Sequence, residues 1–500
     1  MRRSLLALLA VAAFPATASA SPVLVLGHDG RARARNDPFL SRPAITPVPA
    51  TTAPPVGSAG SPRASAARAS RAAKPPVPKR KRGPQRTVAS ELTRMVRSHA
   101  ITQSTYRQDN AGFNLALKAE KHLNGTRRTE LTAVTETLHQ IAASGALTAS
   151  RLPALFLTLN RNRQWWTTGP LLSSGQRIEF AGSPLVWQYY PGQGIQLQVL
   201  GNFGKADGLF TAGRADYGQL EQLLAQMIPL AAKRGGGMTW EYYFEFDGGR
   251  PPWTSAMSQA TGLEALTRAF EATGNGYYLD VARQAMPVFT AAPPAGVAVK
   301  TALGIRFLQY TFAPGISIIN AFLQTLIGLD DYALESNNPL AMRLFTAGNA
   351  EAMAEVPHFD TGAWSLYQPG VEDDLSYHEL VTGFLQQLCT MTSAPIYCTT
   401  AGHFKAYEKT PPTLQQLTLR ARVRKATTLR FRLSKISRVG IVVTQGATAT
   451  FQTSATFPYG VDHFTIPALK RAGTYGVRLT ATDLAGNFTR ISGTLQVAKR

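Results

Sequence analysis

The chain has 500 residues, 44% of them hydrophobic and 16% charged, with a formal net charge of +22 at pH 7. This length predicts a large domain and at least one smaller one. Residues 1–86 hold 15 basic and 2 acidic side chains, so they carry +13 of the +22. The motifs Cys-x-x-Cys and His-Glu-x-x-His do not occur, which argues against a zinc framework, and we expect no metal or other cofactor.

The first twenty residues have the pattern of a secretory signal peptide. Two arginines precede an apolar run from Leu5 to Phe14, and cleavage is expected after Ala20. The run is too short to span a bilayer, and no later segment has 18 consecutive apolar residues. We therefore expect a protein without a transmembrane segment that is secreted or located in the cell envelope.

Residues 21–86 are rich in Ala, Pro, Ser and Arg and contain few large apolar side chains. Such a segment buries too little surface to offset the entropy lost on ordering, so we interpret it as a disordered basic tether. The run Lys79–Arg82 favours an anionic envelope surface or polysaccharide as a partner, with a plain solubilising linker as the alternative. Because the chain is expected to be exported, nucleic acid is not an expected partner.

In residues 87–410, apolar side chains recur at three- and four-residue steps, the spacing of amphipathic helices. Loops rich in Gly and Pro, which also carry Trp and Tyr, join these segments. We interpret the region as helical hairpins in an (α/α) toroid whose aromatic loops meet at a cleft. The segments RIEFAG, LVWQYY and TWEYYFEF look extended and predict a small sheet beside that cleft.

Residues 411–500 alternate apolar and polar side chains, which predicts an antiparallel β-sandwich. The ending GTYGVRLTATDLAGN resembles the last hairpin of bacterial immunoglobulin-like modules. A spacer or stabiliser is the expected role, and carbohydrate binding is the alternative.

The chain has two cysteines, Cys389 and Cys398, separated by a short loop. Their even number and the expected export favour a disulfide, with a pair of free thiols as the alternative.

The segment FDTGAWSLYQPGVEDDLSYH, from Phe359 to His378, concentrates tyrosines, carboxylates and a histidine in a loop before an apolar helix. Polar and aromatic groups grouped on a loop are typical of a functional site. The alternative is a solvated acidic loop whose carboxylates favour the helix dipole.

Four blocks together resemble the C-terminal domain of the D-glucuronyl C5-epimerase family: WQYYPGQGIQLQVLGNFGKA, RPPWTSAMSQATGLEALTRAF, QYTFAPGISIINAFLQTLIGLDDY and the loop Phe359–His378. The resemblance implies a helical toroid beside β-structure that inverts C5 of a hexuronic acid in a polysaccharide such as a heparan precursor, converting glucuronate to iduronate. It also implies that tyrosines act as acid and base. By this resemblance the catalytic residues are Tyr310, Tyr367 and Tyr377.

The sequence departs from the family pattern at two positions. Gln309 stands where the family's Glu-Tyr-Pro-Thr-Thr-Pro block begins with glutamate, and Gly370 stands where an arginine is expected three residues after Tyr367. The first change removes a possible base, and the second removes a partner for the substrate carboxylate.

Removal of a C5 proton alpha to a carboxylate needs a base, an acid across the ring and a cationic or hydrogen-bonding clamp. Tyrosine can serve as acid directly and as base where a neighbouring charge lowers its pKa. The candidates for substrate binding, each with a structural alternative such as core packing or helix capping, are Tyr190, Arg250, Trp253, Arg306, Gln309, Asn320 and His378.

Three other functions remain open from the sequence. A lyase would use the same proton abstraction, and a toroid glycoside hydrolase would take one acid from Glu241, Glu245 and Asp247 and another from Glu372, Asp373 and Asp374. A non-catalytic envelope protein would bind polysaccharide only. The expected partner is a uronate-containing polysaccharide, and a homodimer is left open.

Overall fold

The computed structural model describes residues 21–40 and 86–499. The predicted signal peptide and most of the predicted tether, residues 41–85, lie outside these ranges. Within them, no helix is both long enough and apolar enough to cross a membrane.

Helices dominate residues 86–410, as the apolar spacing predicts. Most begin at a residue with extended backbone, and several of these have a polar side chain that caps the first turn; Asp374, for example, accepts a hydrogen bond from the backbone N–H of Tyr377. The helices are α1 Val88–Arg97, α2 Gln103–His122, α3 Gly125–Ala143, α4 Leu152–Thr168, α5 Val199–Ala212, α6 Tyr217–Met227, α7 Ala256–Thr273, α8 Tyr277–Ala285, α9 Ile319–Ser336, α10 Pro339–Glu355, α11 Leu375–Thr392 and α12 Pro395–Tyr407.

A five-stranded sheet lies beside the helices. Its strands are β1 Ser21–Leu26, β2 Ala32–Asp37, β3 Arg177–Phe180, β4 Ser183–Tyr190 and β5 Gly194–Leu197, in the order β2-β1-β3-β4-β5. The prediction that RIEFAG and LVWQYY are extended is confirmed. The segment TWEYYFEF departs from it, because beyond Thr239 it forms only isolated bridges from Tyr242 to Trp253 and from Phe246 to Gly249.

The prediction of a disordered tether is wrong for residues 21–40. This segment forms the antiparallel hairpin β1–β2, and β1 pairs in parallel with β3. Val23 and Leu26 are buried, and Lys205 is buried between Asp37 and Glu179, with both N–O distances at 2.8 Å. The average composition of the long basic segment conceals the short run PVLVL, whose apolar side chains are sufficient for one strand of an existing sheet.

Three two-stranded hairpins project from the helical region. They are β6 Ala232–Arg234 with β7 Gly237–Thr239, β8 Ala298–Lys300 with β9 Ile305–Phe307, and β10 Leu366–Gln368 with β11 Val371–Glu372. The last of these lies within the predicted site loop.

Helices α7 and α9 pack side by side in parallel. Gln324 of α9 donates a hydrogen bond to Glu264 of α7 at 2.7 Å, and farther along Glu271 interacts electrostatically with Glu335. The first turns of the two helices therefore lie at the same end of the pair. Helix α9 also packs against α10 and α11. The toroid arrangement as a whole stays a prediction.

Residues 411–499 form two further sheets around one apolar core, here called the β module. Its strands are β12 Leu414–Gln416, β13 Arg420–Arg422, β14 Thr427–Leu433, β15 Ser437–Gln445, β16 Thr448–Phe457, β17 Gly460–Ile466, β18 Gly473–Asp483 and β19 Phe488–Ala498. The sheet orders are β12-β14-β17 and β13-β19-β18-β15-β16. Both sheets contribute to a core that includes Phe431, Ile441 and Leu479. The all-β prediction is confirmed, and the immunoglobulin-like assignment stays a prediction.

A disulfide joins Cys389 of α11 to Cys398 of α12, with an S–S distance of 2.05 Å. This pairing confirms the sequence prediction and links the last two helices before the β module.

The β1–β2 hairpin gives a first testable prediction. Replacing Lys205 with methionine leaves the buried carboxylates Asp37 and Glu179 with the half-exposed Arg35 as their remaining counter-charge, so we expect the free energy of unfolding to fall by about 2–4 kcal/mol. Urea unfolding measures the change. The control is Arg33→Gln, which breaks the exposed pair with Asp29 and should leave stability nearly unchanged. Equal effects of the two variants would contradict a structural role for the hairpin.

Candidate functional site

Three tyrosines from separate elements meet at one end of α7 and α9. Tyr310 follows β9, Tyr367 lies in β10, and Tyr377 lies in the first turn of α11. The rings of Tyr367 and Tyr377 have centroids 5.1 Å apart. The side chains of Tyr367 and Tyr310 interact, and this interaction raises the pKa of Tyr367 and works to lower that of Tyr310. The three residues taken from the family resemblance therefore form one cluster.

Burial decides the protonation of this cluster. Loss of solvent is the largest influence on each phenol, and it raises the pKa of Tyr310, Tyr367 and Tyr377 above the ordinary value of 10. All three are therefore neutral near pH 7. The Tyr310 oxygen differs from the others, since hydrogen bonds with Tyr367 and with the Gln309 side chain both favour its charged form.

The start of α7 fixes the segment around Tyr310. Ser255, the N-cap of α7, donates a hydrogen bond from its hydroxyl to the Gln309 side chain at 3.0 Å. The backbone N–H of Thr311 donates to the carbonyl of Thr254 at 3.1 Å. Gln309 is thus held between the helix cap and the Tyr310 hydroxyl.

An aromatic wall supports Tyr310. Its ring stacks on Phe312 at 5.2 Å and lies edge-on to Trp253 at 5.7 Å. Trp253 is only 4% exposed, stacks on Tyr242 at 4.2 Å and donates its indole N–H to the Phe244 carbonyl. The prediction that Trp253 stacks on a sugar is therefore wrong, because both its faces and its polar atom are engaged in the core.

Tyr190 belongs to the same neighbourhood. It is half-buried, its ring lies 4.5 Å from that of Phe244, and its hydroxyl accepts a hydrogen bond from Gln198 at 2.8 Å. Burial raises the pKa of Tyr190, and Tyr310 is close enough to raise it further. A role in substrate binding stays a prediction for Tyr190.

The two candidate arginines differ in their surroundings. Arg306 forms ion pairs with Glu351 and Glu355, so its charge is already neutralised. The prediction that Arg306 holds the substrate carboxylate is therefore wrong. Arg250 is exposed, and no residue within 21–40 or 86–499 forms an ion pair with it. Its loop is held near Tyr310 because Gly249 packs directly against the ring of Phe312.

Gly370 lies at the turn of the β10–β11 hairpin with a φ of +82°. This left-handed conformation suits glycine and would strain an arginine, so the departure from the family pattern has a local backbone reason. The missing cation cannot be restored here without changing the turn.

Asn320 lies in the first turn of α9 and is 5% exposed. Its side-chain oxygen is buried, and the described part of the chain supplies it with no hydrogen-bond partner. Substrate contact stays a prediction for this residue.

His378 is fully buried behind the tyrosines, which overturns its predicted role in substrate contact. Its ring stacks on Trp364 at 3.8 Å, and its Nε2 lies 2.9 Å from the Phe404 carbonyl, to which only an N–H can donate. Nδ1 therefore acts as an acceptor and lies 2.7 Å from the Ser365 hydroxyl. That hydroxyl also lies 2.5 Å from the Asp373 carboxyl.

A single serine proton cannot satisfy both contacts, so Asp373 supplies the second hydrogen. Burial raises the pKa of Asp373 from 3.8 to about 7 and lowers that of His378 from 6.5 to about 4. Below about pH 7 both shifts favour a neutral chain in which Asp373 donates to Ser365 and Ser365 donates to His378. Once Asp373 ionises, Ser365 donates to its carboxylate instead. Sequence reasoning missed this chain because nothing in the spacing of the three residues marks it.

Glu372 connects the site hairpin to the β module. Its two carboxyl oxygens accept hydrogen bonds from the backbone N–H groups of Ile436 and Tyr459, at 2.8 and 2.7 Å. Nearby, the buried ammonium of Lys435 pairs with Asp483 and lies 5.1 Å from the Trp364 ring. The module therefore contacts the loop that carries the tyrosines, a relation that the sequence did not indicate.

The carboxylates proposed for a hydrolase are mostly engaged elsewhere. Glu241 pairs with Arg151 and Arg234, and Asp374 caps α11. Asp247, in contrast, is exposed and close enough to Tyr310 to raise its pKa. Glu241 and Asp374 are therefore already engaged and do not suit the acid or base of the hydrolase alternative.

Comparison with known proteins matches the same region. The family model described as "D-glucuronyl C5-epimerase C-terminus" covers residues 234–406. The chain is similar to a D-glucuronyl C5-epimerase of Caenorhabditis elegans, at 32% identity over 23% of this chain and 21% of that protein. It is also similar to an uncharacterized protein of Methanocaldococcus jannaschii, at 28% identity over 26% of this chain and 44% of that one. The chain therefore spans less than half the length of these relatives.

Two solved structures show weaker likenesses. A cellobiose 2-epimerase from Spirochaeta thermophila has 15% identity and a TM-score of 0.35, covering 57% of this chain and 73% of that one. A D-mannose isomerase has 12% identity and a TM-score of 0.31, covering 56% of this chain and 74% of that one. At such low TM-scores, neither likeness bears on fold or function.

The neutral chain behind the site predicts a pH effect. Because the pKa of Asp373 is raised from 3.8 to about 7, its stabilising contribution is complete below pH 4 and is lost as the pH rises through 7. Asp373→Asn keeps the donor to Ser365 without this loss. Its free energy of unfolding relative to the unmodified protein should therefore rise by about 2–4 kcal/mol between pH 4 and pH 8.

Urea unfolding of both proteins at several pH values measures their free energies of unfolding. Subtracting one from the other cancels the opposing contribution of His378, which is present in both. The control is Asp280→Asn, which removes a carboxyl from a side chain that is 64% exposed instead of buried, and the rise expected for Asp373→Asn should not occur there. Parallel pH curves for Asp373→Asn and the unmodified protein would mean that Asp373 is ionised in the fold.

Proposed function

Residues 234–406 belong to the D-glucuronyl C5-epimerase C-terminal family, and we propose that this chain epimerises C5 of uronate residues in a polysaccharide, from glucuronate to iduronate. The observation that carries the proposal is the meeting of three tyrosines. The rings of Tyr367 and Tyr377 lie 5.1 Å apart, and the side chain of Tyr310 interacts with that of Tyr367. Export of the chain to act on an extracellular or envelope polymer is part of the same proposal.

Tyr310 is the proposed base. Its oxygen has two favourable hydrogen bonds, with Tyr367 and Gln309, and these favour the phenolate against the effect of burial. The step starts from the minor fraction of Tyr310 that has released its proton to solvent. This phenolate takes the C5 proton, and the electron pair moves into the adjacent carboxylate to give an enediolate. Gln309, in the position of the family's glutamate, therefore assists the base through a hydrogen bond and does not act as the base itself.

Tyr377 is the proposed acid. Burial, the nearby Tyr310 and the carboxylate of Asp374 raise its pKa, so it is protonated at neutral pH. It returns a proton to C5 from the opposite side of the ring, and its own oxygen becomes charged. Tyr310 and Tyr377 belong to different elements, which is what two-sided proton transfer requires.

Tyr367 is the proposed relay that resets the site. After one turnover Tyr310 holds an extra proton and Tyr377 lacks one. Tyr367 is hydrogen-bonded to Tyr310, and its ring packs against that of Tyr377. A proton passed from Tyr310 through Tyr367 to Tyr377 restores the starting state without any co-reactant.

Arg250 is the proposed partner of the substrate carboxylate. It is the candidate cation that remains unpaired in the described ranges, and its loop contacts the aromatic wall behind Tyr310. A guanidinium at this position would stabilise the charge of the enediolate.

A prediction on the tyrosines tests the reaction. In heavy water, the unmodified protein should introduce deuterium at C5 of a glucuronate polymer, as measured by NMR. Tyr310→Phe and Tyr377→Phe should each lower the exchange rate by about 10²–10⁴-fold, the usual contribution of a positioned acid or base. Tyr277→Phe is the control, because this tyrosine is 53% exposed and remote from the cluster in sequence.

Each other outcome has a meaning. Exchange retained in both site variants would refute the tyrosine mechanism. An unsaturated uronate absorbing in the ultraviolet would indicate a lyase, and binding without exchange would indicate a non-catalytic polysaccharide-binding protein.

A second prediction concerns Arg250. Arg250→Gln should lower kcat/KM for exchange by about 10- to 100-fold, the usual range for loss of one charge-assisted hydrogen bond. Arg283→Gln is the control, since this arginine pairs only with Asp280 on an exposed helix face. Equal rates for the two variants would show that another group holds the substrate carboxylate.

A further inference from the structure

The charge of the chain divides sharply between its regions. Residues 411–500 contain 14 lysines and arginines and 2 aspartates, which gives +12. Subtracting this and the +13 of residues 1–86 from +22 leaves −3 for residues 87–410. One of the two aspartates, Asp483, is buried in an ion pair with Lys435. The β module is therefore the most basic part of the described structure.

Five of these arginines share one surface of the module, the outer face of the five-stranded sheet. Along β19 the side chains of Leu495 and Val497 enter the core, so alternate residues point outward. The strand register places the exposed arginines of β13, β15 and β18 on the same side as the outward-pointing arginine of β19. The five are Arg420, Arg422, Arg438, Arg478 and Arg490.

No acidic side chain within residues 86–499 forms an ion pair with any of the five. Arg438 donates a hydrogen bond to the hydroxyl of Ser454 at 3.1 Å, a neutral partner. Like charges on neighbouring strands repel one another. This repulsion lowers the stability of the sheet relative to a face with charges of both signs, and a bound anion would relieve it.

The same face contains a shallow groove with a glycine floor. Gly440 lies between Ser454 on β16 and Thr480 on β18, so the centre of this row has no side chain while its edges carry hydroxyls. In the adjacent row Gln452 and Arg478 flank Val442. Hydroxyl, amide and guanidinium groups around a groove match the hydroxyls and carboxylates of an acidic sugar.

We propose that this face binds an acidic polysaccharide, with carboxylates of the polymer against the arginines and sugar hydroxyls in the Gly440 groove. Phe488, 55% exposed on the same face, offers one apolar surface for a sugar ring. Single-stranded nucleic acid is less suited, because its binding surfaces stack successive bases on several aromatic side chains. The identity of the polymer as a uronate chain rests on the proposed function, whereas the charge and shape of the face do not.

Paired variants test the face. The probe is an unsulfated polymer of alternating glucuronate and N-acetylglucosamine, and binding to the full chain is measured by calorimetry. Arg478→Gln with Arg490→Gln should weaken binding roughly tenfold, from two lost charge contacts. The control pair is Arg430→Gln with Arg432→Gln, exposed on the other sheet, which should stay within about twofold.

Further arms separate the other occupants. The same polymer with its carboxylates reduced to alcohols should bind more weakly than the acidic form. Equal weakening by the two arginine pairs, or tighter binding of single-stranded DNA or anionic vesicles than of the polymer, would overturn the proposal.

The surface and the reaction can fail separately. Tyr310→Phe should keep polymer affinity, and the Arg478/Arg490 pair should keep the exchange rate on a short uronate oligosaccharide at saturation. Loss of affinity in that pair together with no exchange in the unmodified protein would support the surface and refute the epimerase. Deuterium exchange in the unmodified protein, together with equal polymer affinity of the two arginine-pair variants, would support the epimerase and refute the surface.

Discussion

The two hydrogen bonds that Glu372 accepts from the backbone of Ile436 and Tyr459 hold the site hairpin against the β module. Glu372 pairs in the β10–β11 ladder with Leu366, the residue before Tyr367, so its position is transmitted directly to a proposed proton carrier. On the helical side, Trp364 packs against His378, which lies one residue after Tyr377. The hairpin is thus fixed from both domains, and the module is part of the support of the site instead of a spacer.

The groups behind the tyrosines are buried and hydrogen-bonded in neutral form. Asp373 shares a hydrogen with Ser365, and His378 binds the Phe404 carbonyl, so neither of these two side chains adds a charge beneath Tyr377. A buried hydrogen-bond network whose members are all satisfied rigidifies the side chains that it joins. The same burial keeps the tyrosines protonated, which suits an acid and leaves only the doubly hydrogen-bonded Tyr310 oxygen suited to a base.

Features that depend on local spacing could be predicted from the sequence. The helices, the alternating strands of the module and the disulfide follow from patterns within about twenty residues, whereas the three tyrosines were identified by resemblance to a known family. Arg306 was misassigned because its carboxylate partner Glu355 is 49 positions away. Trp253 was misassigned because the faces that bury it come from other elements, and the β1–β2 hairpin was missed because its pairing partner β3 begins some 150 positions later. Contacts between distant segments leave no periodic signal.

The departures from the family pattern limit where the protein can place a cation for the substrate carboxylate. An arginine at position 370 would have to occupy a left-handed turn, and Arg306 is neutralised, so the clamp cannot come from either position. The helical region between residues 87 and 410 carries −3 overall and would repel an acidic polymer at long range. In the proposed function, cationic residues on the β module, which Glu372 joins to the hairpin, supply that attraction, and Arg250 is the proposed local partner of the substrate carboxylate. Binding of the polymer and stabilisation of the reacting carboxylate are then assigned to different surfaces, and the catalytic end can remain buried, aromatic and nearly free of charge.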